Sequence, residues 1–232
     1  MYNFCKPSDL NPYANDPVIF KRVAIAGQEN LDLTVLDNEA IGIDFGDGGF
    51  VFHRLAPFLY DAHILFRPCR GVLEKAKTAI ELMFCKTDCC EIVTKVPVHH
   101  ISAAKLATEA GLKWVFLTKD TFNGLDGLQD VNHYRLNLWD WVLGNDALLA
   151  IGREFHQKLE EFGELEHADD DTHDRFVGFA YHCLQLGCME KGVIEYNKWA
   201  KFTGYKQVSI NSDGDVFFDN VAIRRDGEIV CQ

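Results

Sequence analysis

The chain holds 232 residues, 47% hydrophobic and 12% aromatic, enough to bury one large core or two smaller ones. Its formal charge of −12 speaks against a nucleic-acid surface, which needs Lys and Arg to neutralise phosphates, and suits a basic partner instead. Every apolar run breaks well before the roughly 18 residues of a membrane span, and the start MYNFCKPSDLNPYANDP lacks the basic end and apolar stretch of a signal peptide, so neither export nor anchoring is expected.

The charge is unevenly placed. Residues 144–232 carry 9 basic and 17 acidic side chains, against 14 and 18 in residues 1–143, which predicts two modules, 1–143 and 144–232. Cysteines at positions 5, 69, 85, 89, 90, 183, 188 and 231 form no paired CxxC knuckles, so reduced thiols of a cytosol are the plain reading. Cys85, Cys89 and Cys90 make the densest group, but a metal there would need a fourth ligand from elsewhere.

In chain order, VIFKRVAIAG and LDLTVLD read as strands, and AIGIDFGDGGFVFHRL as a hairpin whose GDGG supplies positive φ. PFLYDAHILF is apolar enough for a central strand and stops at Arg67-Pro68-Cys69-Arg70-Gly71. From Val72 to Phe84 the apolar residues recur at three- and four-residue steps, one face of a helix. The strand EIVTKVP follows, then a second helix that Ser102 is placed to cap and Gly111 to close. Two more strands, LKWVFLT and VNHYRLNLW, are joined by the Gly-rich loop FNGLDGLQD.

Three segments carry a resemblance: LYDAHILFRPCRG with its following helix, VPVHHISAAKLATEAGLKWV, and VNHYRLNLWDW. They are similar to the GNAT superfamily of N-acetyltransferases, and within it to phage-encoded acetyltransferase-like proteins. The match covers about residues 50–142, and the weaker N-terminal strands extend it toward residue 1. The resemblance implies an α+β fold with a mixed sheet in residues 1–143. In that fold PFLYDAHILF and EIVTKVP lie parallel and splay apart at their C-terminal ends. Residues 144–232 are then a smaller helical module with C-terminal strands.

The family grips the CoA pyrophosphate on a turn of the form Gln/Arg-x-x-Gly-x-Gly/Ala at a helix N-terminus. Arg70, Gly71 and Val72 fall in the matching, degenerate turn and are the candidate cofactor-binding residues. Pro68 removes an N–H there, and Leu73 puts a branched side chain where the family has Gly or Ala. Where the family commonly places an Asn and, seven residues later, a Tyr that protonates the leaving thiolate, this chain has His100 and Ala107, and Ala107 has no proton to give. No catalytic residue is therefore assigned. His53, His63, His99 and His100 lie in or beside the implied cleft, where an imidazole is a natural base, yet a histidine in an apolar strand such as DAHILF is more often structural. Asp61 and Glu91 are similarly placed carboxylates that nothing in the spacing pairs.

Residues 144–163 form an amphipathic helix, with Leu148, Leu149, Ile151, Phe155 and Leu159 on one side. The stretch GELEHADDDTHDRF holds His167 and His173 among carboxylates that could bind a divalent ion. A solvated loop capping the next helix is the stronger reading, and no metal site is expected. RFVGFAYHCLQLG and GVIEYNKWAKFTGY read as helical, and the last 27 residues as short strands with SDGD and RRDGE turns. Most of the aromatics here are expected in a core, with Tyr196 and Trp199 as candidate partner-binding anchors.

Two functions follow. The first is a phage-encoded structural or interaction protein of the virion, without acetyltransferase activity or cofactor. It would be partnered by other virion proteins or a second copy of the chain, and located in the virion or host cytoplasm. The alternative is a divergent acetyl-CoA-dependent N-acetyltransferase acting on a cationic amine, drawn by an acidic surface. The eroded turn favours the first.

Overall fold

A computed structural model describes residues 2–161, 170–218, 221–224, 226 and 228–231. The chain divides into two compact units, the first made of Met1–Leu82 and Cys89–Leu138, the second of Met83–Asp88 and Trp139–Gln232.

Unit 1 opens with β1 (Asn3–Cys5), a 3-10 turn (Pro7–Leu10), α1 (Asn11–Ala14) and α2 (Pro17–Val23). The expected strand VIFKRVAIAG is thus mostly helix. Asp16 accepts a hydrogen bond from Val18 N at 3.0 Å and Pro17 occupies the first helical position, a start signal that outweighs the β-branched content. LDLTVLD is also no strand: Asp32 caps a 3-10 turn over Leu33–Leu36.

The sheet follows the expected order. β2 (Ala40–Asp44) and β3 (Gly48–Ala56) form the hairpin, β4 (Leu59–Phe66) is the central strand, and α3 (Val72–Lys86) the first long helix. Then come β5 (Glu91–Pro97), α4 (Ile101–Glu109), β6 (Lys113–Gly124) and β7 (Gly127–Asn137). The strand order is β1-β2-β3-β4-β5-β7-β6, antiparallel except for β4 beside β5. Most of FNGLDGLQD is strand rather than loop, because β6 and β7 continue to a two-residue turn at Leu125 and Asp126. α4 starts from His100 without a side-chain cap, so Ser102 lies inside the helix rather than at its end.

The parallel pair is short. β4 and β5 pair only at Leu59–Glu91, Tyr60–Ile92 and Asp61–Val93; beyond these they no longer pair with each other, and each runs on beside its outer neighbour, β3 or β7, splayed as the resemblance implies. Leu10, Ala14, Ile19, Val51 and Leu65 form a core under the N-terminal helices. Phe50, Phe52 and Phe66 pack ring to ring, and Ala76, Ala79 and Ile80 of α3 are buried.

Unit 2 contains the last turn of α3, most of α5 (Leu138–Leu143), α6 (Asp146–Glu161), α7 (Asp171–Gln185) and α8 (Met189–Thr203). A four-stranded antiparallel sheet follows: β8 (Ser209–Ile210), β9 (Val216–Phe218), β10 (Val221–Ile223) and β11 (Ile229–Cys231), in the order β11-β10-β9-β8. α6 and α7 touch backbone to backbone. A Cβ on Gly152 would stand 1.8 Å from the Asp174 carbonyl oxygen, and one on Gly178 would stand 1.9 Å from that of Leu148. Phe155, Phe176, Phe179 and Trp199 fill the surrounding core. No described helix is long and apolar enough to cross a membrane.

Candidate active site

Side chains on a strand alternate between faces, so Asp61 and His63 of β4 project to the same side. The register brings His53 of β3 opposite Asp61, and sets Lys95 of β5 opposite His133 of β7. Asp61 Oδ2 lies 3.2 Å from Lys95 Nζ and 3.8 Å from His63 Nε2. Asp61 is only 4% exposed, and its Oδ1 is buried with no hydrogen-bond partner. A buried, unsatisfied carboxylate oxygen is costly, and natural proteins retain few of them.

Two of the histidines around it, His63 and His133, are held toward the neutral form. Crowding lowers the His63 pKa, the Asp61 charge pulls it back up, and His53 and Lys95 add to the lowering. Half of the His63 side chain meets solvent, so the depression is only partly that of a buried ring. His133 is lowered too, by burial and then by Lys95. It stacks on Phe116 at 4.3 Å, with Thr118 Oγ1 at 2.9 Å from Nε2. His53 sits 3.6 Å from Glu39.

The other sequence candidates lie apart from this group. His99 and His100 sit ring against ring at 4.0 Å, tilted by 45°, at the start of α4, where burial and then the neighbouring His99 lower the His100 pKa. Glu91 is engaged by Arg135 Nε at 2.8 Å. Where the strands part, Thr94 Oγ1 donates a 2.8 Å hydrogen bond to the Ala62 carbonyl oxygen. A cavity of about 70 Å³ opens there, lined by Ala62, Ile64, Thr94, Val96, Ala103 and Ala107 among others. Ala107 does face this cavity, and it offers no proton.

The turn between β4 and α3 is exposed from Arg67 through Gly71. Arg67 is turned away from any anion site by Asp16, to which it donates from Nε at 2.9 Å. Arg70 is exposed, and Val72 begins α3. Gly71 has φ +82° and nothing within 4 Å of where a Cβ would be, so its backbone is open to a ligand. Glu74 in the first turn of the helix puts a negative charge close by, countered by Lys77 at 3.3 Å.

In unit 2 the two candidate anchors are internal. Tyr196 and Trp199 are each 3% exposed. Trp199 stacks between Phe176 at 4.8 Å and Tyr205 at 4.9 Å, and Tyr196 OH donates to the Lys206 carbonyl at 3.3 Å. Both rings fill the packing of α7 against α8, and the α8 aromatic that meets solvent is Phe202, 79% exposed. His173 is not in a solvated loop. α7 begins at Asp171, capped by Asp170, and carries His173 into the core. His167 lies outside the described residues.

Lys95 and His133 were invisible to sequence reasoning because they reach Asp61 only through cross-strand register. The available signal was the i, i+2 pair Asp61 and His63.

No protein-family model and no curated protein matches the chain. Solved structures do. The spermidine N-acetyltransferase of Vibrio cholerae in complex with CoA and spermine aligns with TM-score 0.50 at 14% identity, over 61% of this chain and 98% of its own. A putative acetyltransferase of Acinetobacter baylyi aligns at 0.47 and 12%, over 60% and 92%. A GNAT-family acetyltransferase of Bacillus anthracis aligns at 0.40 and 16%, over 45% and 70%. At such identities the likeness is one of architecture, and the chain has a GNAT-like fold, a large mixed sheet with helices, followed by a small antiparallel sheet near its C-terminus.

Proposed function

We propose that the chain is an acetyl-CoA-dependent N-acetyltransferase acting on an amine, with its chemistry at Asp61 and His63. The observation that carries this reading is the buried, unsatisfied Asp61 Oδ1 beside His63, on the central strand where β4 and β5 begin to part. An unpaired buried carboxylate oxygen is costly and few are kept, and a substrate ammonium would supply the missing partner.

Residues fit the cofactor at two places. The open Gly71 backbone, the first N–H groups of α3 and the Arg70 charge would hold the pyrophosphate. The gap between the splayed strands, lined by Ala62 and Thr94, would hold the acetyl-bearing arm. Pro68 and Leu73 weaken the first of these. When bound, acetyl-CoA supplies an acetyl thioester and leaves as the free thiol.

His63, biased toward the neutral ring, takes a proton from the substrate ammonium, and Asp61 orients the freed amine by accepting its N–H. Lys95 holds the other carboxylate oxygen, Oδ2, at 3.2 Å. Ala107 has no proton to give, so protonated His63, or water, would have to return a proton to the leaving group. The excess of acidic residues suits a cationic amine, and the fold shared with a spermidine N-acetyltransferase makes polyamines the first substrates to try.

A second reading, the non-catalytic virion protein of a phage, rests on one observation. Trp114, Val115, Phe116 and Leu117 are all exposed on the edge strand β6, an apolar stretch that could pair with another chain. Neither the fold nor its relatives speak to a phage origin. Calorimetric titration with acetyl-CoA, joined to a thiol-release assay on polyamines, separates the readings. Saturable binding and Asp61-dependent thiol release are expected, and the absence of both would leave the interaction reading.

A further inference from the structure

We propose that His156, His173 and Asp174 form a site for one divalent transition-metal ion in unit 2, bound by two imidazoles and one carboxylate. The backbone contact of α6 with α7 creates it. Gly152 packs against the Asp174 carbonyl, and His156, one helical turn after Gly152, is thereby set against the Asp174 side chain. One ligand atom from each of the three residues lies within 4.8 Å of the others. The three are 4%, 7% and 2% exposed. An ion about 2 Å from each donor bridges such a group after small side-chain rotations.

The donors set the class of ion. Two nitrogens and a carboxylate suit zinc, cobalt or nickel, whereas calcium and magnesium require mostly oxygen. The outer contacts are those that hold a ligand ring in place. Tyr196 OH donates to the Lys206 carbonyl, so its lone pair is left to accept from His173 Nε2, 3.2 Å away. In a neutral ring that tautomer puts the lone pair on Nδ1 and readies His173 as a ligand. Tyr205 stacks on His173 at 4.5 Å and Trp199 at 5.6 Å, keeping bulk water from that ring.

The simpler alternative is a buried His–Asp pair that fastens α6 to α7. It does not account for the second imidazole, stacked on the first at 4.9 Å and 26°, which the metal reading uses as a ligand. Arg153, 3.7 Å from Asp174 Oδ2, opposes a cation, but its head is half in solvent and shared with Asp171.

The test is titration of the chelator-stripped, reduced full chain with Co²⁺, followed by visible absorption. The expected result is one equivalent taken up, d–d bands with no thiolate-to-cobalt charge-transfer band, and displacement by Zn²⁺. The missing band excludes the cysteines as ligands. His156→Ala and His173→Ala should abolish uptake. Tyr196→Phe keeps the ring and removes the contact that orients His173, and should weaken Co²⁺ binding about tenfold or more. No stoichiometric uptake, a thiolate band, or unchanged affinity in Tyr196→Phe or in a folded His156→Ala each overturns the site, so the outcome does not depend on the alanine variants folding.

Discussion

Thr94 Oγ1 donates to the Ala62 carbonyl oxygen, at 2.8 Å, one residue beyond the last parallel pair of β4 and β5. The side chain takes over where the backbone ladder stops, so the strands part at a defined residue. Thr94→Val keeps the shape and removes the donor. It should cost about 1–3 kcal/mol through the carbonyl left without this partner. Urea unfolding would read the loss, and an unchanged midpoint would mean that water replaces the hydroxyl.

Asp61→Asn and His63→Gln should each lower thiol release by about two orders of magnitude or more, while leaving calorimetric binding of acetyl-CoA in place. Equal losses in binding and turnover would instead mark these residues as structural.

The pH dependence follows from His63. Its folded pKa lies below the ordinary 6.5, so kcat/KM should rise with pH along an acid limb centred below that value, and His63→Gln should erase the limb. The stability effect has the same sign. Protons bind the unfolded chain more readily, so His63 costs nothing well above pH 6.5 and subtracts stability as pH falls through that value. A limb at or above 6.5 would assign the base elsewhere.

Cys69 reports on the turn. It is the one exposed thiol among the described cysteines, and it lies two residues before Gly71. Burial, with Asp9 and Asp44 nearby, pushes the Cys5 thiol up to about 11, so Cys5 should alkylate slowly at neutral pH. Acetyl-CoA bound over the turn should slow alkylation of Cys69 about tenfold at ten times its Kd. Mass spectrometry of the alkylated peptides reads this directly, and full reactivity at saturation would place the pyrophosphate elsewhere.

The sheet was legible because its signals are local. The apolar run of PFLYDAHILF, with stops at Pro68 and Gly71, marked the central strand, EIVTKVP followed after one helix, and the resemblance supplied their parallel pairing. Residues 18–27 misled, because VIFKRVAIAG carries β-branched side chains while the deciding signal, Asp16-Pro17, is two residues of helix start. The site was legible only in part. Asp61 and His63 stand next but one in sequence, but Lys95 and His133 join them through register that one strand does not encode. In the second half, the burial of Tyr196, Trp199 and His173 depends on how three helices meet, which helical periodicity alone leaves open.

Those helices meet on glycine, and substitution there gives the last test. In an exposed helix Gly→Ala usually stabilises, by roughly 1 kcal/mol or less. At Gly152 the added methyl would fall 1.8 Å from the Asp174 carbonyl oxygen, and at Gly178 1.9 Å from that of Leu148. Both obstacles are backbone, so the helices must separate. Gly152→Ala and Gly178→Ala should therefore destabilise the chain by about 1–3 kcal/mol or more, opposite in sign to helix propensity. Separation would also draw His156 from Asp174, so Gly152→Ala should lose Co²⁺ uptake even where helix content by circular dichroism is retained. A Gly152→Ala chain as stable as the parent would mean that α6 and α7 do not touch at this point, and the metal site built on that contact would fall with it.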